Sequence, residues 1–136
     1  MADKLPSVSR SELEVLKTLW RRGPSTVREV WSALPEDKWV YTTVQTLLQR
    51  LEGKGFVGSH KRARARVYVA AVTRQDLVTE RLGLLSRELC DGSSVPLVRG
   101  LVSGSRLSTD EIRELRAMLD DLESQDQGGA DEELPR

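Results

Sequence analysis

The hydrophobic period of this chain changes once and then changes back, and the place of that change limits the folds open to it. Up to Gly55 apolar residues recur at the three-four spacing of a helix face. From Phe56 to Val72 they alternate, Val67 and Val69 with Tyr68 and Ala70, as in a half-buried strand. Beyond Thr73 the helical spacing returns.

Helix starts are marked by capping boxes, in which a hydroxyl and a carboxylate three residues apart satisfy each other's free backbone N–H groups. Ser9 with Glu12 opens a stripe of Leu13, Leu16, Leu19 and Trp20 that Gly23 and Pro24 stop. Thr26 with Glu29 opens a short one, Val27, Val30, Trp31 and Leu34, ended by Pro35. A third helix begins at Thr42 and carries Val44, Leu47, Leu48 and Leu51 as far as Gly53 or Gly55. Residues 56–72 then read as a β-hairpin with Lys61, Arg62, Arg64 and Arg66 at its tip.

After the hairpin, Val78, Leu82, Leu85 and Leu89 make one helical stripe reaching Cys90 and Asp91, and Gly92 ends it. A weaker helical stretch surrounds Leu97 to Val102, with a flexible joint expected at Ser103 to Ser105. Ser108 with Glu111 is a third capping box, ahead of Ile112, Leu115, Leu119 and Leu122, which are spaced like a coiled-coil seam. The expected fold is mainly α with a small β-hairpin wing. A winged helix-turn-helix domain takes residues 1–72, a helical dimerisation domain 73–123, and a tail with the composition of a disordered segment 124–136.

A chain of 136 residues has room for one compact domain and a small appendage, which excludes an enzyme with separate cofactor and substrate domains. Its 38% hydrophobic content supports a modest core, so association with a second copy is a natural way to complete it. The net charge of +0 conceals a division: residues 1–72 hold 13 basic and 7 acidic side chains (+6), residues 73–136 hold 8 and 14 (−6). A basic half beside an acidic one suggests that the first meets a polyanion, although two solvated surfaces attracting each other would show the same split. One cysteine and one histidine cannot build a disulfide or a Cys/His metal cluster within a chain, so no cofactor or metal is expected. Met1 to Val8 is too short and polar for a signal peptide, and no run approaches the ~18 apolar residues of a membrane span, so a soluble cytoplasmic protein is expected.

The third helix carries the functional argument. Opposite its apolar stripe stand Thr42, Gln45, Thr46 and Gln49, polar but uncharged, where a solvated face usually carries Lys and Glu. Amides and small hydroxyls suit base edges, since Gln pairs with adenine and Thr offers a methyl to thymine. Thr43, Gln45, Thr46 and Gln49 are therefore expected to touch bases. Tyr41, Thr42, Arg50, Lys54, Lys61, Arg62, Arg64 and Arg66 are expected at phosphates, which position a protein without reading sequence. Trp20 and Trp31 read as core and Tyr68 as hairpin packing, while Trp39 and Tyr41 either pack at the start of the third helix or reach the backbone. His60 reads as a surface residue or an auxiliary phosphate contact, and Cys90 as a buried thiol. A protein-interaction module is the competing reading of the same fold, against which the basic hairpin and the Thr/Gln face both argue. No catalytic constellation is present to suggest an enzyme.

The segment from Thr43 to Gly55 resembles the T-V-x-T-L-L-x-R-L-x-x-K-G helix of the BlaI/MecI-type penicillinase repressors. Support comes from Glu12-Leu13-Glu14-Val15-Leu16 with Leu19-Trp20, from Arg66-Val67-Tyr68, and from Leu107 to Ile112 with Leu115-Arg116. The resemblance covers roughly Ser9 to Leu122 and implies a transcriptional repressor that binds a palindromic DNA operator as a homodimer. It also implies release from DNA when a membrane-bound metalloprotease sensor triggers cleavage of the C-terminal domain, with the joint between Cys90 and Ser105 as the place to look. The dimer interface is expected at Val78, Leu82, Leu85, Leu89, Ile112, Leu115, Leu119 and Leu122, the alternative being that these stripes fold back onto the winged helix of their own chain. Family members often carry Lys or Arg where this chain has Gln45, so an operator sequence does not transfer. The copper-sensing branch has a cysteine-rich C-terminus, and the single Cys90 speaks against copper control.

Overall fold

The computed structural model describes residues 5–35, 39–104 and 106–133. Helix α1 (Arg10–Arg22) starts at the Ser9/Glu12 capping box, with both reciprocal hydrogen bonds made, at 2.9 and 3.1 Å. It ends at Gly23, whose φ of 85° lies where only glycine is at ease and lets its N–H reach Leu19 O at 2.8 Å. A two-residue strand β1 (Ser25–Thr26) follows, and then α2 (Val27–Ala33) from the Thr26/Glu29 box. Helix α3 (Tyr41–Gly53) has no side-chain cap at Val40 and starts one residue earlier than the spacing predicts. Strands β2 (Val57–Arg62) and β3 (Ala65–Ala70) form the hairpin. Three helices follow: α4 (Arg74–Leu89), α5 (Val95–Gly104) and α6 (Thr109–Glu133).

The sheet is antiparallel with order β1-β3-β2. The sequence reading takes Thr26 as a helix cap and misses β1, because two residues carry no periodicity. Its pairing of Ser25 with Tyr68 and Thr26 with Val67 makes the hairpin's return strand the central one. That brings the start of α2 against the wing.

The core of the first unit joins Val15, Leu16 and Leu19 of α1 with Val30 of α2 and Val44, Leu47, Leu48 and Leu51 of α3. Phe56, Val57 and Tyr68 close it from the hairpin side. The stripes read for α1 to α3 thus face this core, with Leu13, Trp20 and Trp31 partly buried at its edge, and each apolar side chain fully removed from water contributes about 1.5–3 kcal/mol. Trp20 and Trp31 pack at the rim of this core, each donating its indole N–H to a backbone carbonyl, Trp20 to Val72 O at 2.9 Å and Trp31 to Trp39 O at 2.8 Å. That requirement keeps both rings partly exposed.

The chain divides into two compact units, Met1–Leu85 and Ser86–Arg136, where the pattern places the boundary after residue 72. The reason is Leu77, buried in the first unit's core, and Arg74, whose guanidinium lies 5.1 Å from the centre of the Trp20 ring. Helix α5 runs through Ser103 to Gly104, so the expected joint is helical there, and Ser105 lies outside the described residues. The segment expected as a disordered tail from 124 is instead the continuation of α6 to Glu133, with residues 134–136 outside the description. Glu123 to Gln127 contain no breaker, so a helix that the Ser108/Glu111 box has started has no local reason to stop there. Cys90 is half-exposed rather than buried, since α4 ends at Leu89, one residue before it.

Candidate nucleic-acid interface

With Val44, Leu47, Leu48 and Leu51 buried, α3 turns Thr42, Thr43, Gln45, Thr46, Gln49 and Arg50 to solvent. Helical geometry sorts these into three lines. Thr42, Thr46 and Gln49 share the outermost stripe. Gln45 and Gln49 lie toward the wing, with Tyr41 and Glu52, and line a cleft of ≈ 580 Å³ closed on its far side by Arg64, Ala65, Arg66 and Tyr68. Thr43 is three residues from Thr46 and seven from Arg50, and with Arg50 it falls on the side away from the wing. The base-contact set read from the sequence is therefore exposed throughout, but Thr43 stands apart from Gln45, and Thr42 takes the more outward position.

The wing's cations are separated by the two-residue period of its strands. Lys61 is paired directly with Arg66, on the face that also carries Ser59 and Tyr68, while Arg62, paired with Ala65, points to the reverse face with His60. Arg64 stands in the two-residue turn beside Ala63, whose φ of 58° is in the left-handed region. All four cations are exposed. Two like charges directly opposite each other destabilise a hairpin by a few tenths of a kcal/mol, a penalty that a polyanion laid along the wing would reverse.

A short hydrogen-bonded chain joins wing to helix. Arg66 Nη1 donates to Ser59 Oγ at 2.8 Å, and Ser59 Oγ donates to Glu52 Oε2 at 2.6 Å. Beneath them Tyr68 is buried, and burial, with the nearby Glu52 carboxylate, raises its phenol above the ordinary value. The hydroxyl therefore stays neutral and adds no charge to the cleft floor.

Two of the expected phosphate contacts are engaged elsewhere. Lys54 turns inward, its Nζ 2.7 Å from Oε1 of the buried Glu12 and 3.0 Å from Ser7 O. A lone carboxylate inside the fold needs a counter-charge more than a solvated lysine needs a phosphate, which is why this cation is drawn in. Burial pushes the Glu12 carboxyl up, but the bonds from Lys54 and Ser9 outweigh it and hold the group below its ordinary value. Tyr41 is half-buried, its ring edge-on to Trp31 with centroids 5.7 Å apart, so packing decides its position and only one side meets the cleft.

Arg28, Glu52 and Ser59 belong to this region and were not singled out from the sequence. Arg28 and Thr26 join the cleft because β1 carries the start of α2 to β3, a pairing with no local signal. Glu52 and Ser59 meet only once the hairpin has folded back on α3.

A trio of helices whose third presents amides and hydroxyls to solvent, flanked by an arginine-rich antiparallel hairpin, is a winged helix-turn-helix of the DNA-binding class. A family model described as Penicillinase repressor matches residues 8–121. The chain is 30% identical over 119 residues to the penicillinase repressor of Bacillus licheniformis, covering 87% of this chain and 93% of that one. It is 28% identical over 120 residues to the methicillin resistance regulatory protein MecI of Staphylococcus aureus (strain N315), covering 88% and 98%. Among solved structures, the DNA-binding domain of the repressor BlaI shares 36% identity over 55% of this chain and 93% of that chain, with a TM-score of 0.48. The chain belongs to the penicillinase repressor family, whose members are DNA-binding transcriptional repressors and not enzymes.

Proposed function

We propose that this protein represses transcription as a homodimer on a palindromic operator, with α3 of each copy in a major groove and the wing along the adjoining backbone. The observation that carries this is the cleft itself: the uncharged Gln45 and Gln49 on one wall and Arg64 and Arg66 on the other. That pairing suits a DNA strand whose bases are read by α3 and whose phosphates are held by the wing. Thr42, Thr46, Gln45 and Gln49 are the proposed base-reading residues, and Lys61, Arg62, Arg64 and Arg66, with Arg50 to one side, the phosphate contacts.

Dimerisation is supported by what the second unit lacks. Among its described residues from 86 to 126, Ser86 alone is buried, while Leu89, Leu119 and Leu122 are 75, 61 and 62% exposed. Helices with apolar stripes and no buried apolar residue cannot be stable by themselves, so a second copy covering them is the economical solution. Val95, Val98, Leu101 and Val102 of α5 extend the apolar surface beyond the residues the leucine pattern names. Cleavage within this C-terminal region, by a signal-dependent protease such as a membrane-bound metalloprotease sensor, would separate the copies and so lower operator affinity.

The test is binding of the full-length protein to DNA from upstream of its own gene and to random DNA across a salt series. Specific dimeric binding is expected, with a log–log salt slope steeper than about −3.5 for four or more neutralised phosphates. Equal, weak, salt-insensitive binding to both would reject the repressor in favour of an interaction module.

A further inference from the structure

We propose that Glu12 and Lys54 are positioning residues: they form a clasp that sets the seat of α3 in the groove, and Lys54 is not a phosphate contact. This deepens the proposed function and rests on it. Lys54 is the C-cap of α3, the first residue beyond the reading helix. Glu12 is the third residue of α1, and its Oε1 accepts at once from Ser9 N–H at 2.9 Å and from Lys54 Nζ at 2.7 Å. The same ammonium donates to Ser7 O at 3.0 Å. One cation thus ties together the end of the reading helix, the start of α1 and the strand of chain ahead of it.

The burial on the two sides makes this a clasp rather than a surface ion pair. Glu12 is 2% exposed and Lys54 32%, so the carboxylate cannot turn to water if the lysine leaves. An ammonium released to a phosphate would strand that charge inside the fold, a penalty far larger than one exposed phosphate contact returns. Base reading depends on where a helix lies in the groove to within fractions of an ångström, so a tie at its end acts on specificity through Gln45, Thr46 and Gln49 without touching DNA.

The experiment compares full-length wild type, E12Q, K54M and the double variant, at a temperature where circular dichroism shows each folded. E12Q keeps an amide oxygen for Ser9 N–H, so it preserves the helix start. Each protein is titrated over a salt series against a duplex selected by the wild type from random DNA and against an unselected duplex. The clasp predicts that both single variants lose on the order of tenfold on the selected duplex, the scale of one mismatched base pair. Binding to the unselected duplex stays within about twofold and the salt slope is unchanged, because no phosphate contact is removed. The double variant is no worse than either single one.

A phosphate contact predicts otherwise: K54M makes the slope shallower by about 0.9 per protomer on both duplexes, and E12Q, by freeing the cation, tightens binding. That result overturns the proposal, as does a lowered Tm with wild-type affinity and specificity. If the wild type selects no sequence, the repressor reading fails by itself. The clasp is then judged by hydrogen exchange at the end of α3, which E12Q is expected to accelerate. Unchanged exchange there would overturn it.

Discussion

Gln45 lies on the wall of the cleft, within reach of a base edge if DNA occupies it, and its amide can donate and accept at once. Replacing it with Ala is expected to cost about 1–3 kcal/mol at one base pair and little at others. Affinity measured on a panel of single-base operator variants checks this, and a uniform loss across the panel would contradict base reading. Glu12 governs a different quantity. Folding holds its carboxyl below the ordinary value, so its contribution to stability is complete above the unfolded-chain pKa and is lost as pH falls through the lower folded value. The melting temperature of the wild type is therefore expected to fall more steeply with pH below the usual carboxylate range than that of E12Q, whose amide does not titrate. Parallel curves for the two would remove Glu12 from the account.

Among elements, the wing is the one whose local geometry and charge both oppose its own folding. Ala63 occupies the left-handed region at a turn where glycine or asparagine is at ease, and A63G is expected to stabilise the fold by up to about 1 kcal/mol without altering the salt dependence of DNA binding. Chemical denaturation of the two proteins measures it. Replacing Arg62 or Arg64 by Ala is expected to weaken binding to every duplex alike and to make the salt slope shallower by about 1 for each phosphate no longer neutralised. A loss confined to one base pair would mean that the wing reads sequence. The hairpin and its cations were legible in the alternation and charge of residues 56–72, whereas β1 was not, since two residues are too few to show a period. The consequence is local but functional, because β1 is what brings Arg28 to the cleft.

For the whole molecule the question is what covers α4 to α6. The leucine spacing predicts two stripes, and their residues are at the surface: Val78, Leu82, Leu85 and Leu89 of α4 and Ile112, Leu119 and Leu122 of α6 are exposed, and Leu115 is half-buried. Exposure of so many large apolar groups is uncommon in a stable monomer and points to association. Changing Leu119 to Glu is expected to shift the protein to monomer in sedimentation and to reduce operator affinity in the same samples, since each reading helix alone spans only a few base pairs. A dimer unchanged by L119E would displace the seam, and the apolar face of α5 would then be the place to look.

Period, capping chemistry and charge by themselves determined the number and order of the long helices, the hairpin, the buried stripes and the uncharged outward face of α3, because each of these is a local property repeated along the chain. Which exposed residues face one another was decided only by tertiary structure. A helix has three solvent lines, and nothing in the sequence says which one lies beside the wing; with the hairpin in place Gln45 and Gln49 line the cleft and Thr43 does not. Lys54 reads as one basic residue among several until Glu12, 42 residues earlier in the chain, is buried beside it. With Glu12 only 2% exposed, its carboxylate depends on that lysine for a counter-charge.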